Sequence, residues 1–301
     1  MRSHWKPMRA EITAVQTREI TAVQPWENRM NRYQLFALDM DGTLLTSDKR
    51  IHPETVRDIA CAAGRGVHIV YSSGRGAVEL TPYARQLPGI RWAICSSGAE
   101  VYDFQEKRFV FRSGIAIDLI REVIRAVGEE DCMVHFLNEL CSFVREDKIT
   151  HMEDYHMGLY KPLYDQVATA VPCMLEEAEK HEFIAKMNLF FRTPEDRETA
   201  FLKIRHLPLT FVKGEDSNLE INAAGVSKAM GLEKLAAHLG IPMEETVGIG
   251  DGENDRALLE AAGCAVAMGN AGPGIRAVCD LVTDDNDHNG VGKAIRRLIG
   301  A

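Results

Sequence analysis

The chain contains 301 residues, of which 46% are hydrophobic and 26% are charged, and its formal net charge is -9. This length suffices for one large domain or two domains with a substantial core, and the composition is that of a soluble globular protein. The negative charge argues against a nucleic-acid-binding surface, and no apolar run approaches the ~20 residues that a membrane span needs.

The cysteines and the amino terminus bear on the compartment. Seven cysteines with no C-x-x-C pair indicate reduced thiols rather than a disulfide framework. Residues 1–24 contain no continuous apolar segment, so we expect no secretory signal. We therefore predict a cytoplasmic protein with neither a nucleic-acid nor a membrane partner. The oligomeric state has no signature in the sequence.

The first thirty residues are predicted to be an extension to the fold. Residues 11–16 repeat as residues 19–24, but two copies are too few for a repeat architecture. We expect residues 1–30 to be poorly ordered or to precede the natural start, because Met30 lies directly before the first strand pattern.

Two acidic residues follow the first predicted strand. Residues 35–38 are apolar and lead into Asp39 and Asp41, after which Gly42 lets the chain turn. Open α/β sheets place their ligands at the carboxyl ends of such strands. Two carboxylates there favour a hard cation or acid–base chemistry, while an acidic turn is the alternative for this pattern alone.

Strand and helix patterns then alternate. A predicted helix opens at residues 51–54 and is closed by Gly64 and Gly66, and a second is predicted over 77–87. Strands are predicted at 67–71 and 92–95, and Ser73, Gly74 and Arg75 follow the first of these. Three strand–helix repeats in a row predict a doubly wound parallel sheet.

The pattern changes between residues 100 and 222, where hairpins mix with helices, and it returns afterwards. Ser227 is predicted to cap a helix over 228–239, and a strand at 246–250 leads into Asp251, Asn254 and Asp255. We therefore predict an α/β core from residues 31–99 and 223–301, interrupted by an α+β insertion at 100–222. Residues 153–182 show the weakest pattern.

Polar groups at these strand ends are expected to converge. Several carboxylates, one Ser-Gly turn and Lys228 suit Mg²⁺ together with a phosphate group. Competing motifs fail on spacing, because the chain has neither a P-loop, nor a complete G-x-G-x-x-G, nor H-E-x-x-H.

Four segments, in order, resemble the motifs of the haloacid dehalogenase-like (HAD) phosphohydrolases. They are Asp39-x-Asp41-Gly42-Thr43-Leu44-Leu45, Ser73-Gly74-Arg75, Val226-Ser227-Lys228 and Gly250-Asp251-Gly252-x-Asn254-Asp255. With Ser97-Gly98-Ala99, Asn270-Ala271 and Asn289-Gly290-Val291, residues 33–301 are similar to the Cof-like branch with a type IIB cap. The resemblance implies a Rossmann-like core with an inserted cap over residues 100–222.

The resemblance also implies a reaction, the hydrolysis of small phosphomonoesters through an aspartyl phosphate. Asp39 would be the nucleophile, Asp41 the general acid and base, and Lys228 the cation that offsets charge. The implied cofactor is Mg²⁺, held by Asp39, the Asp41 carbonyl and Asp251.

Further roles follow from the same resemblance. Asp255 would lie near the metal or act through water. The expected substrate-binding residues are Ser73, Gly74, Arg75, Asn254 and Asn270. The expected partner is a small phosphorylated metabolite such as a sugar, nucleotide or cofactor phosphate.

Alternatives stay open at this stage. A phosphotransferase or phosphomutase would use the same intermediate, and a non-catalytic binding module would keep only the fold. Arg75 has a structural role as its alternative, and Asn270 has a helix cap. Ser97 replaces the usual Asn of the branch and Ala229 the common Gly. Neither departure touches the nucleophile or the metal residues, so we expect an active enzyme.

Overall fold

The computed structural model describes residues 32–87, 89–214 and 217–300. The extension predicted for residues 1–30 lies outside these ranges and stays a prediction. Both ends of the described chain contribute to a large sheet, and the middle of the chain forms a smaller one.

The amino-terminal part of the large sheet alternates strands with helices, as the sequence pattern predicts. Its elements are β1 (Leu35–Leu38), α1 (Pro53–Gly64), β2 (His68–Ser72), α2 (Ala77–Ala84), β3 (Trp92–Cys95), β4 (Glu100–Asp103) and β5 (Arg108–Arg112). A 3-10 helix, Ser96–Gly98, joins β3 to β4.

The middle of the chain contains many short elements. They are β6 (Ile115–Ala116), α3 (Ile117–Val127), β7 (Met133–Asn138), β8 (Cys141–Arg145), α4 (Glu146–Ile149), α5 (Lys161–Val167), β9 (Ala168–Val171), α6 (Met174–Ala178), β10 (Phe183–Ile184), β11 (Lys186–Phe190), α7 (Pro194–Ile204), β12 (Leu209–Lys213) and β13 (Asn218–Ala223).

The chain then returns to the large sheet. The elements are α8 (Lys228–Leu239), β14 (Thr246–Gly250), α9 (Arg256–Ala261), β15 (Cys264–Ala267), α10 (Pro273–Arg276), β16 (Leu281–Val282) and α11 (Gly290–Ile299). Further 3-10 helices are Met243–Glu245, Glu253–Asp255 and Asn286–His288.

Within the described residues, the large sheet has eight strands in the order β16-β15-β14-β1-β2-β3-β4-β5. The strands from β16 to β3 pair in parallel, and β4 and β5 pair antiparallel. Side chains of β1 explain why helices cover both faces. Phe36 and Leu38 belong to an apolar cluster with residues of α1 and α11, whereas Leu35 and Ala37 belong to one with Leu232 of α8. The predicted doubly wound α/β class is confirmed.

The hairpin β4–β5 corrects the predicted boundary of the insertion at residue 100. Strand β4 pairs with β3, so the hairpin extends the large sheet. Val101 and Tyr102 are buried in the two apolar clusters on opposite faces of this sheet. An antiparallel hairpin breaks the strand–helix alternation in the sequence, so the pattern alone predicts the start of the insertion too early.

The smaller sheet has six strands in the order β12-β13-β11-β7-β8-β9, antiparallel except for the pair β8–β9. Met187 and Leu189 of β11 face an apolar cluster shared with α3 and α7. Lys186 and Asn188 therefore lie on the opposite face, and Asn188 pairs with His135 and Glu220. Hairpins mixed with helices are the α+β character predicted for this segment.

Short elements fill residues 153–182, where the sequence pattern is weakest. Two 3-10 helices, Met152–Tyr155 and Gly158–Tyr160, precede α5. Met152 and Tyr155 are buried in a small apolar cluster, so tertiary packing rather than helix periodicity stabilises this segment. Among the described residues, we find no helix with the length and apolarity of a membrane span.

Helix α8 approaches the end of β3 so closely that only glycine fits at position 231. A Cβ atom there would lie 2.3 Å from Ile94 Cγ2 and 3.0 Å from Gly98 Cα. Gly→Ala inside a helix ordinarily stabilises by about 1 kcal/mol, but overpacking costs ~1–3 kcal/mol. We expect Gly231→Ala to lower the urea midpoint of unfolding.

The matched control is Gly64→Ala at the end of α1, where the added Cβ would meet no described atom within 4 Å beyond its chain neighbours and the backbone of its own helix. We expect this variant to be as stable as the parent or more stable. An unchanged or raised midpoint for Gly231→Ala would contradict the close packing of α8.

Candidate active site

Two neighbouring parallel strands place acidic residues at the same edge of the large sheet. Asp39 follows β1, and its backbone N–H donates to the Ile249 carbonyl of β14 over 3.0 Å. Asp251 follows β14 directly. The parallel pairing therefore brings the two aspartates together, as the sequence analysis predicts.

Lys228 joins this acidic group from the first turn of α8. The Ser227 hydroxyl caps the helix by accepting the Met230 N–H over 3.3 Å. The Lys228 ammonium donates to Asp39 Oδ1 and to Asp255 Oδ1, each over 2.5 Å. The lysine is 2% exposed, so burial strengthens both ion pairs.

Both carboxylate oxygens of Asp255 are held by hydrogen bonds. While Oδ1 binds the ammonium, Oδ2 accepts the backbone N–H groups of Asp251 and Gly252, each over 3.1 Å. The residue is fully buried. Its carboxylate therefore orders the loop that follows β14.

The carboxylates of Asp39, Asp251 and Asp255 form a candidate metal centre. One oxygen from each lies within 4.8 Å of the others. Three carboxylates share the single charge of Lys228, so a divalent cation would balance the group. An all-oxygen donor set of this kind fits Mg²⁺.

The remaining freedom of Asp251 is restricted by two side chains. Thr43 Oγ1 donates to Asp251 Oδ1 over 2.9 Å, and Asn270 Nδ2 donates to Asp251 Oδ2 over 3.1 Å. Asn270 also donates to the Gly42 carbonyl over 2.9 Å. Asn270 therefore contacts a metal-site carboxylate, and since α10 begins after Gly272, it is not the cap of that helix. The role of Thr43 was missed from sequence.

The charges within this group shift its pKa values. Burial, together with the neighbouring charges of Asp255 and Asp251, raises the pKa of Asp39 in spite of Lys228. Burial opposes the charged form of Lys228, but Asp255 and Asp39 outweigh it and raise the pKa of the ammonium. Lys228 is therefore a permanent cation beside Asp39.

Asp41 lies apart from the three-carboxylate group. Arg75 donates to both of its oxygens, with Nε to Oδ2 at 3.0 Å and Nη2 to Oδ1 at 3.0 Å, and Lys49 donates to Oδ1 over 2.7 Å. Burial opposes ionisation of Asp41, but these two cations hold its pKa below the usual value. Its side chain is therefore ionised and directed to cations rather than to the metal cluster.

Tyr160, at the end of the 3-10 helix Gly158–Tyr160, lies over the two cations that bind Asp41. Its hydroxyl accepts from Lys49 over 3.3 Å, and its ring lies 5.4 Å from the Arg75 guanidinium carbon. Sequence reasoning missed both Lys49 and Tyr160, because neither belongs to a motif. Arg75 was assigned to substrate binding with a structural role as the alternative, and in this structure it binds Asp41.

The turn of Ser73 and Gly74 is framed by the 3-10 helix after β3. Ser73 N–H donates to the Ile94 carbonyl over 2.9 Å, and Ser97 N–H donates to the Ser73 carbonyl over 3.0 Å. The Arg75 N–H donates to Ser73 Oγ over 3.2 Å. This arrangement agrees with an anion-binding turn, although substrate binding by Ser73 and Gly74 stays a prediction.

Asn254 is the predicted site residue with the least structural support. It lies in the 3-10 helix Glu253–Asp255 and is exposed. We find no hydrogen bond from its side chain to any other residue in the described ranges. The predicted contribution of the Asp41 carbonyl to the metal likewise stays a prediction.

A buried polar contact connects α2 with the smaller sheet behind this site. Glu79 accepts the Gly76 N–H over 3.0 Å at the helix start and the Ser142 hydroxyl over 3.3 Å. Ser142 Oγ also lies 2.9 Å from His135 Nε2. Burial and the charge of Lys186 lower the pKa of His135 to about 3, so its ring is neutral.

The chain is similar to known proteins over most of its length. A family model described as haloacid dehalogenase-like hydrolase matches residues 36–295. The chain is similar to Phosphatase YwpJ of Bacillus subtilis (strain 168), at 28% identity over 88% of this chain and 100% of that protein. It is also similar to 5-amino-6-(5-phospho-D-ribitylamino)uracil phosphatase YcsE of the same strain, at 29% identity over 88% of this chain and 96% of that protein.

Among solved structures, the chain resembles a sugar phosphatase of HAD subclass IIB. The TM-score is 0.74 at 24% identity, and the match covers 88% of this chain and 98% of that one. This likeness supports the predicted fold with its inserted cap.

Mg²⁺ binding is expected to depend on the three carboxylates and on pH. Because the Asp39 pKa is raised, protons compete with the cation, so the dissociation constant for Mg²⁺ should fall as pH rises from about 5.5 to about 8. We expect Mg²⁺ to raise the melting temperature of the parent protein and not that of Asp251→Asn.

Glu253→Gln is the matched control, because this exposed carboxylate in the same loop pairs with Arg256 outside the cluster. It should keep the Mg²⁺ response. A response that survives Asp251→Asn, or that weakens with rising pH, would contradict the assignment of the metal site.

Proposed function

Because this chain belongs to the family of haloacid dehalogenase-like hydrolases, we propose that it is a Mg²⁺-dependent phosphatase of small phosphomonoesters that acts through phosphorylated Asp39. The observation that carries the proposal is the Lys228 ammonium, bound to Asp39 and Asp255 beside Asp251. This arrangement supports Asp39 as the nucleophile, Lys228 as a fixed cation and the three carboxylates as ligands of a metal ion.

Asp39 suits the role of nucleophile. It lies at a strand end, its backbone is hydrogen-bonded to β14, and its carboxylate is 2.5 Å from a permanent cation. Attack by a carboxylate oxygen on phosphorus would form the acyl phosphate and expel the alkoxide of the ester. Lys228 would offset the negative charge that gathers between the carboxylate and the phosphoryl oxygens.

Mg²⁺, when bound, would neutralise the carboxylates and polarise the phosphoryl group. Asp39, Asp251 and Asp255 would hold it, while Thr43 and Asn270 keep Asp251 in place. Loss of either positioning side chain should weaken the affinity for the cation more than it alters the fold.

Asp41 would donate a proton to the leaving oxygen and then activate water. In the described arrangement it is ionised, because Arg75 and Lys49 hold it. An incoming phosphate dianion would compete for these two cations, and weaker ion pairs would let the Asp41 pKa rise toward protonation. Substrate binding and readiness of the acid would thus be coupled.

The side chains around Asp41, where the leaving group of the ester would lie, favour a small polar metabolite. Tyr160 offers a ring and a hydroxyl, and Lys49 and Arg75 offer positive charge next to Asp41. The phosphatase names of the relatives support a phosphorylated metabolite as the partner. No disulfide bond joins any of the seven cysteines, all of which lie in the described ranges, and this supports action in a reducing compartment such as the cytoplasm.

A phosphotransferase is the second candidate, since residues from the smaller sheet's side cover the site. Tyr160 and Lys186 both contact loops of the large sheet, and such cover would shield a phosphorylated Asp39 from water. Product analysis separates the two, because a phosphatase releases inorganic phosphate and a transferase passes the phosphoryl group to an added sugar.

The direct test is phosphate release from a panel of sugar phosphates, nucleotides and cofactor phosphates, with Mg²⁺ or with EDTA. We expect release only with Mg²⁺, and a loss of at least about a thousandfold in Asp39→Asn. Asp48→Asn is the matched control, because this exposed aspartate of the same loop bonds Thr46 and Arg50 instead of Lys228.

Full activity of Asp39→Asn would rule out the nucleophile. Release that is equal in EDTA would rule out the role of the cation. The best substrate of the panel would identify the leaving group that the insertion accepts.

A further inference from the structure

Lys186 is a buried lysine that reaches from the smaller sheet to the large one. It begins β11, is 2% exposed, and donates to three acceptors. These are the Gly74 carbonyl at 3.1 Å, Ser97 Oγ at 3.0 Å and Glu220 Oε2 at 2.7 Å. Three acceptors match the three donors of an ammonium group.

The carbonyls of the Ser73–Arg75 turn show why this contact matters. The Ser73 carbonyl accepts from Ser97 N–H, and the Arg75 carbonyl accepts from Ser96 N–H over 2.8 Å. Both donors belong to the backbone of the 3-10 helix Ser96–Gly98, which follows β3. The middle carbonyl, that of Gly74, accepts instead from the Lys186 side chain.

The peptide between Gly74 and Arg75 transmits this contact to Ser73. In a planar trans peptide the C=O and the N–H point in opposite directions. The C=O of this peptide binds Lys186, and its N–H donates to Ser73 Oγ over 3.2 Å. Ser73 Oγ is thereby an acceptor of a backbone proton, and its own hydroxyl proton is left to be donated to another oxygen.

We propose that Lys186 is a positioning residue for phosphate binding, which holds the Gly74–Arg75 peptide so that the Ser73 hydroxyl is oriented as a donor to a phosphoryl oxygen. The proposal rests on the proposed function and extends its phosphate site to a residue of the insertion. Glycine at position 74 is part of the arrangement, because a Cβ there would lie 2.8 Å from Lys186 Nζ.

The effect of Lys186 on phosphate binding is geometric rather than a matter of net charge. Glu220 binds the same ammonium, lies beside Ser97 with its side chain 15% exposed, and cancels the positive charge. Burial opposes ionisation of Glu220, but Lys186 outweighs it and lowers the pKa of that carboxyl. Replacing both members of the pair therefore leaves the net charge unchanged and leaves no buried ion without a partner.

The test is a double-mutant cycle in which inorganic phosphate is the probe, as a competitive inhibitor of p-nitrophenyl phosphate hydrolysis with Mg²⁺. We expect Lys186→Met with Glu220→Gln to raise the inhibition constant about tenfold, and Ser73→Ala to do the same. If Lys186 acts through Ser73, the combination should raise it about tenfold as well, not about a hundredfold. Independent, multiplied effects, or an unchanged constant in the pair variant, would overturn the proposal.

Two controls separate positioning from stability. Lys148→Met removes another buried lysine of the insertion. This lysine donates to the Glu130 carbonyl over 2.8 Å and to the Tyr155 hydroxyl over 3.1 Å. We expect it to lower the melting temperature without changing the phosphate constant. Glu220→Gln alone keeps Lys186 on Gly74 and should leave phosphate binding as tight or tighter.

If the pair variant does not fold, Lys186→Gln with Glu220→Gln keeps a polar pair in the same space and takes its place. If the parent protein hydrolyses no ester, the proposed function fails, and calorimetric titration with inorganic phosphate and Mg²⁺ runs the same cycle on binding alone. Equal phosphate affinity of parent and pair variant in that titration would overturn the role of Lys186 by itself.

Discussion

The site depends on one buried ammonium held among carboxylates. Lys228 donates to Asp39 and Asp255, and Asp251 completes the group. Burying such charges without a partner costs several kcal/mol per ion, so the ion pairs are a condition for placing Asp39 inside the protein. The parallel strands β1 and β14 supply the acids, and α8 supplies the lysine. Close packing of α8 against β3, through Gly231, keeps that lysine at the strand ends.

The insertion contributes side chains to the same edge of the large sheet. Its side chains arrive across a long sequence separation and contact loops rather than strands. Tyr160 lies over Lys49 and Arg75, and Lys186 binds the Gly74 carbonyl. In the proposed reaction these contacts would exclude water from bound substrate and restrict the loops that would hold phosphate. On the proposed function, selectivity and positioning would therefore depend on the contacts between the two sheets.

The sequence alone was sufficient to predict the features that follow from local residue patterns. The alternation of strands and helices predicted the α/β class, and acids at strand ends predicted the convergence of Asp39 and Asp251. The predicted family and the class of hydrolase acting on phosphoric monoesters are confirmed. The hairpin β4–β5 was misassigned, because antiparallel alternation does not reveal which sheet a strand joins. Lys186 was missed, since its partners lie up to 112 residues away and leave no periodicity to detect.

The decisive measurement follows the phosphoryl group itself. Asp41→Asn protein would be quenched in acid during turnover of a phosphorylated substrate with Mg²⁺, and the modified residue located by peptide mass spectrometry. We expect the phosphoryl group on Asp39, because the variant lacks the base that would activate water against the intermediate. A phosphoryl group on another residue, or steady phosphate release by the parent protein with Asp39 never modified, would contradict the role of Asp39 as the nucleophile.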